Sequence, residues 1–244
     1  MLDLSDRLEL VPLGRVVGSM ARVQAQGRLL LVGAAARDIH FTVLNGIPLE
    51  RATRDVDLAM GVPDWASFLE FREGLLGSGD FFPESKVLHA FRHRDGTLVD
   101  LIPFGGVLRP DRTIAWPPDG NPVMTLPCYE EAWATSIQVL LPGSQTIHLV
   151  SIPAQALLKL FAWKDRRNIS RGKDGQDLWP IMRYYLDTGP MDRLYEEGAH
   201  LFGSPDFDLD SAGAWLLGRD SRKVLEHGES PDDLVVEAKQ VVHP

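Results

Sequence analysis

The chain has 244 residues, of which 44% are hydrophobic and 24% charged, an ordinary composition for a globular protein of one large domain or two small ones. A formal net charge of −9 argues against a surface that grips nucleic acid throughout, so any polynucleotide contact must come from a local patch. One cysteine, Cys128, excludes an intrachain disulfide and a cysteine metal cluster, and it suits a reducing cytoplasm.

In chain order, the N-terminus lacks the basic and apolar regions of a signal peptide. Residues 8–26 have apolar positions at helical spacing and predict a helix that Gly27 can end. Residues 28–32 are almost wholly apolar and predict a buried strand. Gly33 then turns the chain into the alanine-rich start of a helix that fades at Asn45-Gly46. The longest uncharged apolar run, 29–36, is far too short to span a bilayer, so no membrane association is expected. The next strand is predicted at 54–60, and Asp64 is placed to cap a helix over 65–76.

Alternation over 86–92, an Asp95-Gly96 turn and a strand at 98–104 predict a hairpin. Residues 105–127 are rich in Gly, Pro and Asp and read as loops with one hairpin. A strand follows at 146–152. The pattern then becomes helical, with Ser151 as a cap, Pro153 in the first turn and a second helix at 178–186. The expected division is therefore a mixed α/β half, 1–150, and a helical half, 151–244.

Three aspartates stand out. Asp55 and Asp57 form a D-x-D pair, and residues i and i+2 of a strand point to one face. Asp100 lies on the following hairpin. Like charges brought together raise one another's pKa, and a divalent cation removes that cost. Oxygen donors of this kind suit magnesium, which completes its shell with water and substrate phosphates. The strand–Gly33–helix junction directs backbone N–H groups outward, as an anion site requires. Arg37 lies one turn into that helix, within reach of a phosphate. No Gly-x-Gly-x-x-Gly and no P-loop spacing is present, and no serine or cysteine stands in a nucleophile elbow.

Between 159 and 173 there are six cations, Lys159, Lys164, Arg166, Arg167, Arg171 and Lys173, opposed only by Asp165. Asp174 and Asp177 follow on one helix face. His89 and His93 are four apart, but on a strand that spacing puts them about 13 Å from each other, too far for a shared zinc.

Together these segments resemble the nucleotidyltransferase superfamily with the polymerase-β-like palm. Within it they resemble the AbiEii-type toxins of bacterial toxin–antitoxin and phage-defence systems. The resemblance rests on Leu31-Val32-Gly33-Ala34-Ala35-Ala36-Arg37, on Thr53-Arg54-Asp55-Val56-Asp57-Leu58, and on Val99-Asp100-Leu101-Ile102-Pro103-Phe104-Gly105. It extends to the segment around Lys159 and to Lys173-Asp174-Gly175-Gln176-Asp177-Leu178. It implies an α/β (α+β) fold, a palm whose mixed β-sheet is flanked by helices, with a C-terminal helical domain that contributes to the nucleotide site. It implies two Mg2+ ions held by Asp55, Asp57 and Asp100, and an NTP bound by Gly33, Ala34, Arg37, Lys159 and Asp174. It also implies an RNA acceptor such as a tRNA 3' end, a cognate antitoxin encoded nearby and a cytoplasmic location. The family pattern has Gly-Ser or Gly-Gly at the turn, where this chain has Gly33-Ala34. Alanine keeps the N–H and lacks the hydroxyl. Two other readings fit the same residues: a small-molecule (antibiotic) nucleotidyltransferase, and a nucleotide-binding module without turnover.

Overall fold

The computed structural model describes residues 1–23, 28–49, 55–85, 87–166, 173–189, 191–228 and 231–242. The chain forms two compact units, Met1–Ala36 with Thr53–Val150, and Arg37–Ala52 with Ser151–Pro244. Residues 37–52, which a linear division leaves with the first half, thus cluster with the second unit.

The first unit is built on an eight-stranded mixed sheet. Its elements begin with β1 (Leu2–Asp3), α1 (Val11–Val23) and β2 (Arg28–Val32), and α2 (Gly33–Asp38) carries the chain toward the second unit. There follow β3 (Val56–Val62), α3 (Trp65–Gly77), β4 (Phe81–Pro83), β5 (Ala90–His93) and β6 (Leu98–Gly105). A small separate hairpin, β7 (Thr113–Ala115) and β8 (Val123–Thr125), precedes α4 (Tyr129–Ala134), β9 (Ile137–Leu141) and β10 (Gln145–Leu149). The strand order is β1-β9-β10-β2-β3-β6-β5-β4. The pair β3–β6 is parallel, while β2–β3 and β5–β6 are antiparallel.

Local chemistry accounts for the boundaries. The first predicted helix splits: a 3-10 turn covers Leu8–Leu10, and α1 starts at Val11. Pro12 then falls in the first turn, where its missing N–H would have had no helical partner. Gly14 is needed because α1 crosses the β9–β10 turn so closely that a Cβ would lie 2.4 Å from the Pro142 carbonyl oxygen. The Asp64 side chain accepts from Ser67 N–H at 2.8 Å and caps α3, as expected. The Asp95-Gly96 turn also forms: Gly96 takes a φ of +94°, and His93 N–H bonds Thr97 C=O at 2.8 Å.

β3 begins two residues later than its predicted start and runs on through Gly61 to Val62, because Val56, Leu58, Ala59, Met60 and Val62 are all buried. Apolar side chains of α1 (Leu13, Val16, Val17, Met20) and α3 (Phe68, Phe71, Leu75) fill the core of this unit.

The second unit contains α5 (Ile152–Arg166), α6 (Lys173–Arg183), α7 (Met191–Glu197), α8 (Leu209–Leu225) and α9 (Pro231–Val242), with 3-10 turns at Leu186–Thr188 between α6 and α7 and at Ala199–Gly203 between α7 and α8. The Ser151 hydroxyl caps α5 through Ala154 N–H at 3.4 Å. α6 starts earlier than the apolar spacing indicated and tolerates Pro180 within it. Phe41, Ile152, Ile181, Tyr185, Leu194 and Leu216 belong to one buried cluster. No helix among the described residues is long and apolar enough to cross a membrane.

A buried ionic network pins α8. Asp220 accepts two bonds from Arg193, at 2.8 and 2.7 Å, and one from the Tyr185 hydroxyl at 2.5 Å. Burial alone would raise the Asp220 pKa; Arg193, Tyr185 and Lys223 overcome it and hold the carboxyl at about 2. The same contact, added to burial, pushes the Tyr185 phenol far up. The aspartate pKa is lowered on folding, so its contribution is present above the unfolded value and is lost as pH falls toward 2. Asp220→Ala leaves the buried Tyr185 phenol without its acceptor and Arg193 with Glu197 alone, and is expected to cost roughly 2–3 kcal/mol in urea unfolding at neutral pH. A loss smaller than about 1 kcal/mol would show that the network is not what holds α8.

Candidate functional site

Three neighbouring strands line up the first unit's polar residues. Val32 at the end of β2 is paired with Asp57 on β3, and Asp57 is paired with Asp100 on β6. Paired residues point to the same face from strands about 4.8 Å apart, so the Asp57 and Asp100 carboxylates stand side by side. Val56, Leu58, Val99 and Leu101, one position off, are buried on the opposite face. Asp55 is exposed and lies just before the first residue of β3, rather than within the strand.

Gly33 completes this corner. It has a φ of +69°, and a Cβ built on it would lie 2.0 Å from Asp57 Oδ2 and 2.6 Å from Asp57 Cγ. The Asp57 carboxylate therefore rests on the bare α-carbon where β2 becomes α2. Ala34 follows in the first turn of α2 and is half-buried.

Electrostatics mark the same corner. The Asp100 pKa is raised, first by loss of hydration and then by the negative charge of Asp55, while His89 works in the opposite direction. Asp100 keeps an exposed edge, yet enough protein surrounds its carboxyl to disfavour the charge. His89, from the turn before β5, is pushed below its ordinary value by burial, against the pull of Asp100. Its ring lies 5.0 Å from that of Trp116, and its carbonyl accepts Leu101 N–H at 2.9 Å. Sequence reasoning considered His89 only as half of a zinc pair. Its place beside Asp100 depends on a turn whose geometry no local pattern announces.

Among the described residues no three His, Cys, Asp or Glu side chains are gathered into a ready metal cage. The donor set offered is Asp57 and Asp100 in register, with Asp55 electrostatically coupled to Asp100. These are hard oxygen donors, and they suit magnesium rather than a softer metal.

In the second unit, Arg37 is only 4% exposed, so it is not a surface residue of its helix. Its guanidinium donates to Asp38 at 2.8 and 3.1 Å and to Asp177 at 3.3 Å. Lys159 Nζ donates to the other Asp177 oxygen at 2.7 Å. Asp177, not counted among the expected site residues, is thus shared by two cations that were. Arg37 and Asp177 line a cleft of about 800 Å³ with the exposed Trp179 and with Tyr184. Arg54, Arg167 and Arg171, and the side chains of Arg166, Lys173 and Asp174, lie outside the described residues.

No family model matches this chain, and no curated protein matches it. Solved structures do show similarity. ANT(2'')-Ia, an antibiotic-resistance factor, is 10% identical over 80% of this chain and 94% of its own, with a TM-score of 0.44. ANT(2'')-Ia in complex with adenylyl-2''-tobramycin gives 12% identity, 80% and 99% coverage and a TM-score of 0.43. An antigenic nucleotidyltransferase-like protein from Paracoccidioides brasiliensis is 20% identical over 80% of this chain and 91% of its own, with a TM-score of 0.44. The overlap is extensive in length but loose in geometry, and it carries no conclusion about the chemistry of this chain.

Two outcomes follow from the corner at Gly33. Gly33→Ala places a side chain at positive φ, which costs about 1–2 kcal/mol, and also displaces the Asp57 carboxylate. Urea unfolding is expected to show at least that loss; an unchanged midpoint would mean that Asp57 yields freely. For Asp100 the raised pKa means that the folded state binds the proton better than the unfolded state does. Its penalty is absent well below the unfolded value of 3.8, grows as pH rises through the folded pKa, and remains at neutral pH. Asp100→Asn is therefore expected to raise the melting temperature at about pH 7 without added metal, and to leave it unchanged at about pH 3.

Proposed function

We propose that the protein is a magnesium-dependent nucleotidyltransferase that moves an NMP from an NTP to an acceptor hydroxyl. The observation that carries the reading is the in-register pair Asp57 and Asp100 beside the side-chain-free Gly33. Asp55, Asp57 and Asp100 would hold two Mg2+ ions, and the β2–α2 junction at Gly33 and Ala34 would take the triphosphate on backbone N–H groups. Magnesium bound there would supply charge neutralisation at the α-phosphate and at the departing pyrophosphate.

The chain's own groups then have distinct tasks. The acceptor oxygen attacks the α-phosphorus in line, the bond from that phosphorus to the β-phosphate oxygen breaks, and pyrophosphate leaves. Asp100, as a ligand of the metal beside the acceptor, would help activate the acceptor hydroxyl as the new P–O bond forms. His89, its pKa lowered by burial, favours the neutral imidazole beside the corner. Lys159, Arg37 and Asp174 would serve nucleotide binding, with Asp177 holding Lys159 and Arg37 in place until phosphate competes for them.

We propose an RNA acceptor, such as a tRNA 3' end, and a role as the toxin of a toxin–antitoxin or phage-defence pair, restrained by an antitoxin encoded nearby. The net charge of −9 supports a second reading, a cationic small-molecule acceptor such as an aminoglycoside. Labelled NTPs offered with total RNA and with a drug panel separate the two by which acceptor becomes labelled. Tight NTP binding with no pyrophosphate release under any acceptor would support a non-catalytic module.

Asp57→Ala is expected to abolish NMP transfer with the fold intact; a purified variant that transfers at the parent rate would overturn the assignment. Lys159→Met keeps the stem and removes the charge, so NTP affinity is expected to fall about tenfold or more, with Mg2+ binding retained.

A further inference from the structure

A second polar pocket lies elsewhere in the first unit. It is a cavity of about 690 Å³ between α1, the β5–β6 turn and the β9–β10 turn, and its lining includes Arg15, Arg22, Arg94, Ser19, His93 and Gln145. Register separates it from the aspartates. Ala90 pairs with Asp100 and shares its face, while His93, three residues on, points to the other face and meets Ser19 of α1. The pocket and the carboxylates therefore belong to opposite sides of the sheet.

Two of the arginines, Arg22 and Arg94, are held, not loose. Asp80, 6% exposed, accepts from Arg22 through one carboxylate oxygen and from Arg94 through the other, the latter at 2.9 Å. Arg94 is fixed a second time, by its N–H on the Asp80 carbonyl at 2.8 Å. Arg22 also donates to Ser19 Oγ at 2.9 Å. Even so, the Arg22 and Arg94 side chains remain 63% and 68% exposed, so their guanidinium groups keep N–H donors facing the cavity and solvent. Arg15, one turn before Ser19 on α1, is exposed. Three guanidinium groups face two carboxylates, Asp80 and Asp95, and the local balance is positive in a chain of net charge −9.

Ser19, His93 and Asp95 are linked at 3.1 and 2.8 Å in the order of a nucleophilic triad. Ser19 sits mid-helix, however, so its backbone N–H is spent within α1 and cannot serve an oxyanion, and its Oγ already accepts from Arg22. The trio is better suited to be the rigid floor of the pocket than to attack a substrate.

We propose that this pocket is a phosphate-binding site, distinct from the aspartate corner, in which Arg15, Arg22 and Arg94 are the anion's ligands. The planar Arg22 and Arg94 forks, fixed by the buried Asp80 carboxylate, match phosphate oxygens at little further entropic cost, and the exposed Arg15 adds charge from the next turn of α1. The phosphate can belong to a free pyrophosphate or nucleotide, or to the backbone of an RNA strand; the oxyanion chemistry is the same.

The test uses the full-length chain carrying Asp57→Ala, Asp100→Asn and Lys159→Met, in EDTA, so that the proposed metal site and the Lys159 phosphate contact are both removed. Calorimetry with pyrophosphate, and filter binding with a short single-stranded RNA, report the site. Saturable binding of at least one probe is expected, weakened at least about tenfold by Arg15→Glu and by Arg94→Gln. Binding of RNA that falls steeply with salt, with pyrophosphate weak, assigns the backbone as the source; the reverse assigns a free phosphate compound. Arg94→Gln can loosen the Asp80 anchor, whereas Arg15→Glu changes an exposed helix position and decides the matter on its own. No metal-independent binding of either probe, or binding indifferent to Arg15→Glu, overturns the proposal. Because transfer by the parent protein is not the readout, failure of the nucleotidyltransferase reading leaves this result intact, and the converse holds.

Discussion

The contact between a bare α-carbon and a carboxylate organises the first unit's polar corner. Asp57 lies in the middle of the sheet, where an ionised side chain would ordinarily be expelled. It is accommodated because Gly33 has no Cβ and because β2 ends at that level, turning away with a positive φ. The buried apolar set on the other face of β3 fixes the register, since a slip of one residue would carry Val56 and Leu58 to the polar side. Burial of those side chains thus decides where the aspartates stand, and the pairing with β6 places Asp100 beside Asp57.

The second unit shows a different treatment of charge. Arg37, Asp38, Asp177 and Lys159 are joined by short bonds, with Arg37 and Asp177 nearly inaccessible. Removing ions from water is costly, and a buried pair of this kind adds little net stability compared with an apolar replacement. The arrangement contributes little stability but fixes Arg37 and Asp177 at defined positions on the cleft. Asp220 serves a structural end by the same means, and it lies where α8 must be held.

Much of the fold was legible because its strongest signals are local. The apolar run of β2, the Asp64 cap and the Asp95-Gly96 turn each depend on a few adjacent residues, and each forms. β9 was missed although Val139 and Leu141 alternate ahead of a Pro142-Gly143 turn; its first two residues are exposed, which weakened the pattern. β1 is two residues long and exists only through pairing with β9, about 140 residues away, which no local pattern encodes. At the site, the D-x-D spacing and the glycine turn were readable. The burial of Arg37, the sharing of Asp177 and the approach of His89 to Asp100 were not, since they arise from tertiary packing.

The second unit is discontinuous in the chain, and that has a consequence for how it is made. Residues 37–52 leave the ribosome about a hundred residues before Ser151, where the rest of their unit begins. Phe41, fully buried among Ile152, Tyr185 and Leu216 in the finished protein, has none of these partners during that interval. The first unit can complete its sheet once β10 emerges, while the apolar Phe41 waits uncovered, a natural place for a chaperone to act. A chain cut after Val150 would make the wait permanent, so the first unit is better isolated with residues 37–52 replaced by a short polar linker than by truncation alone.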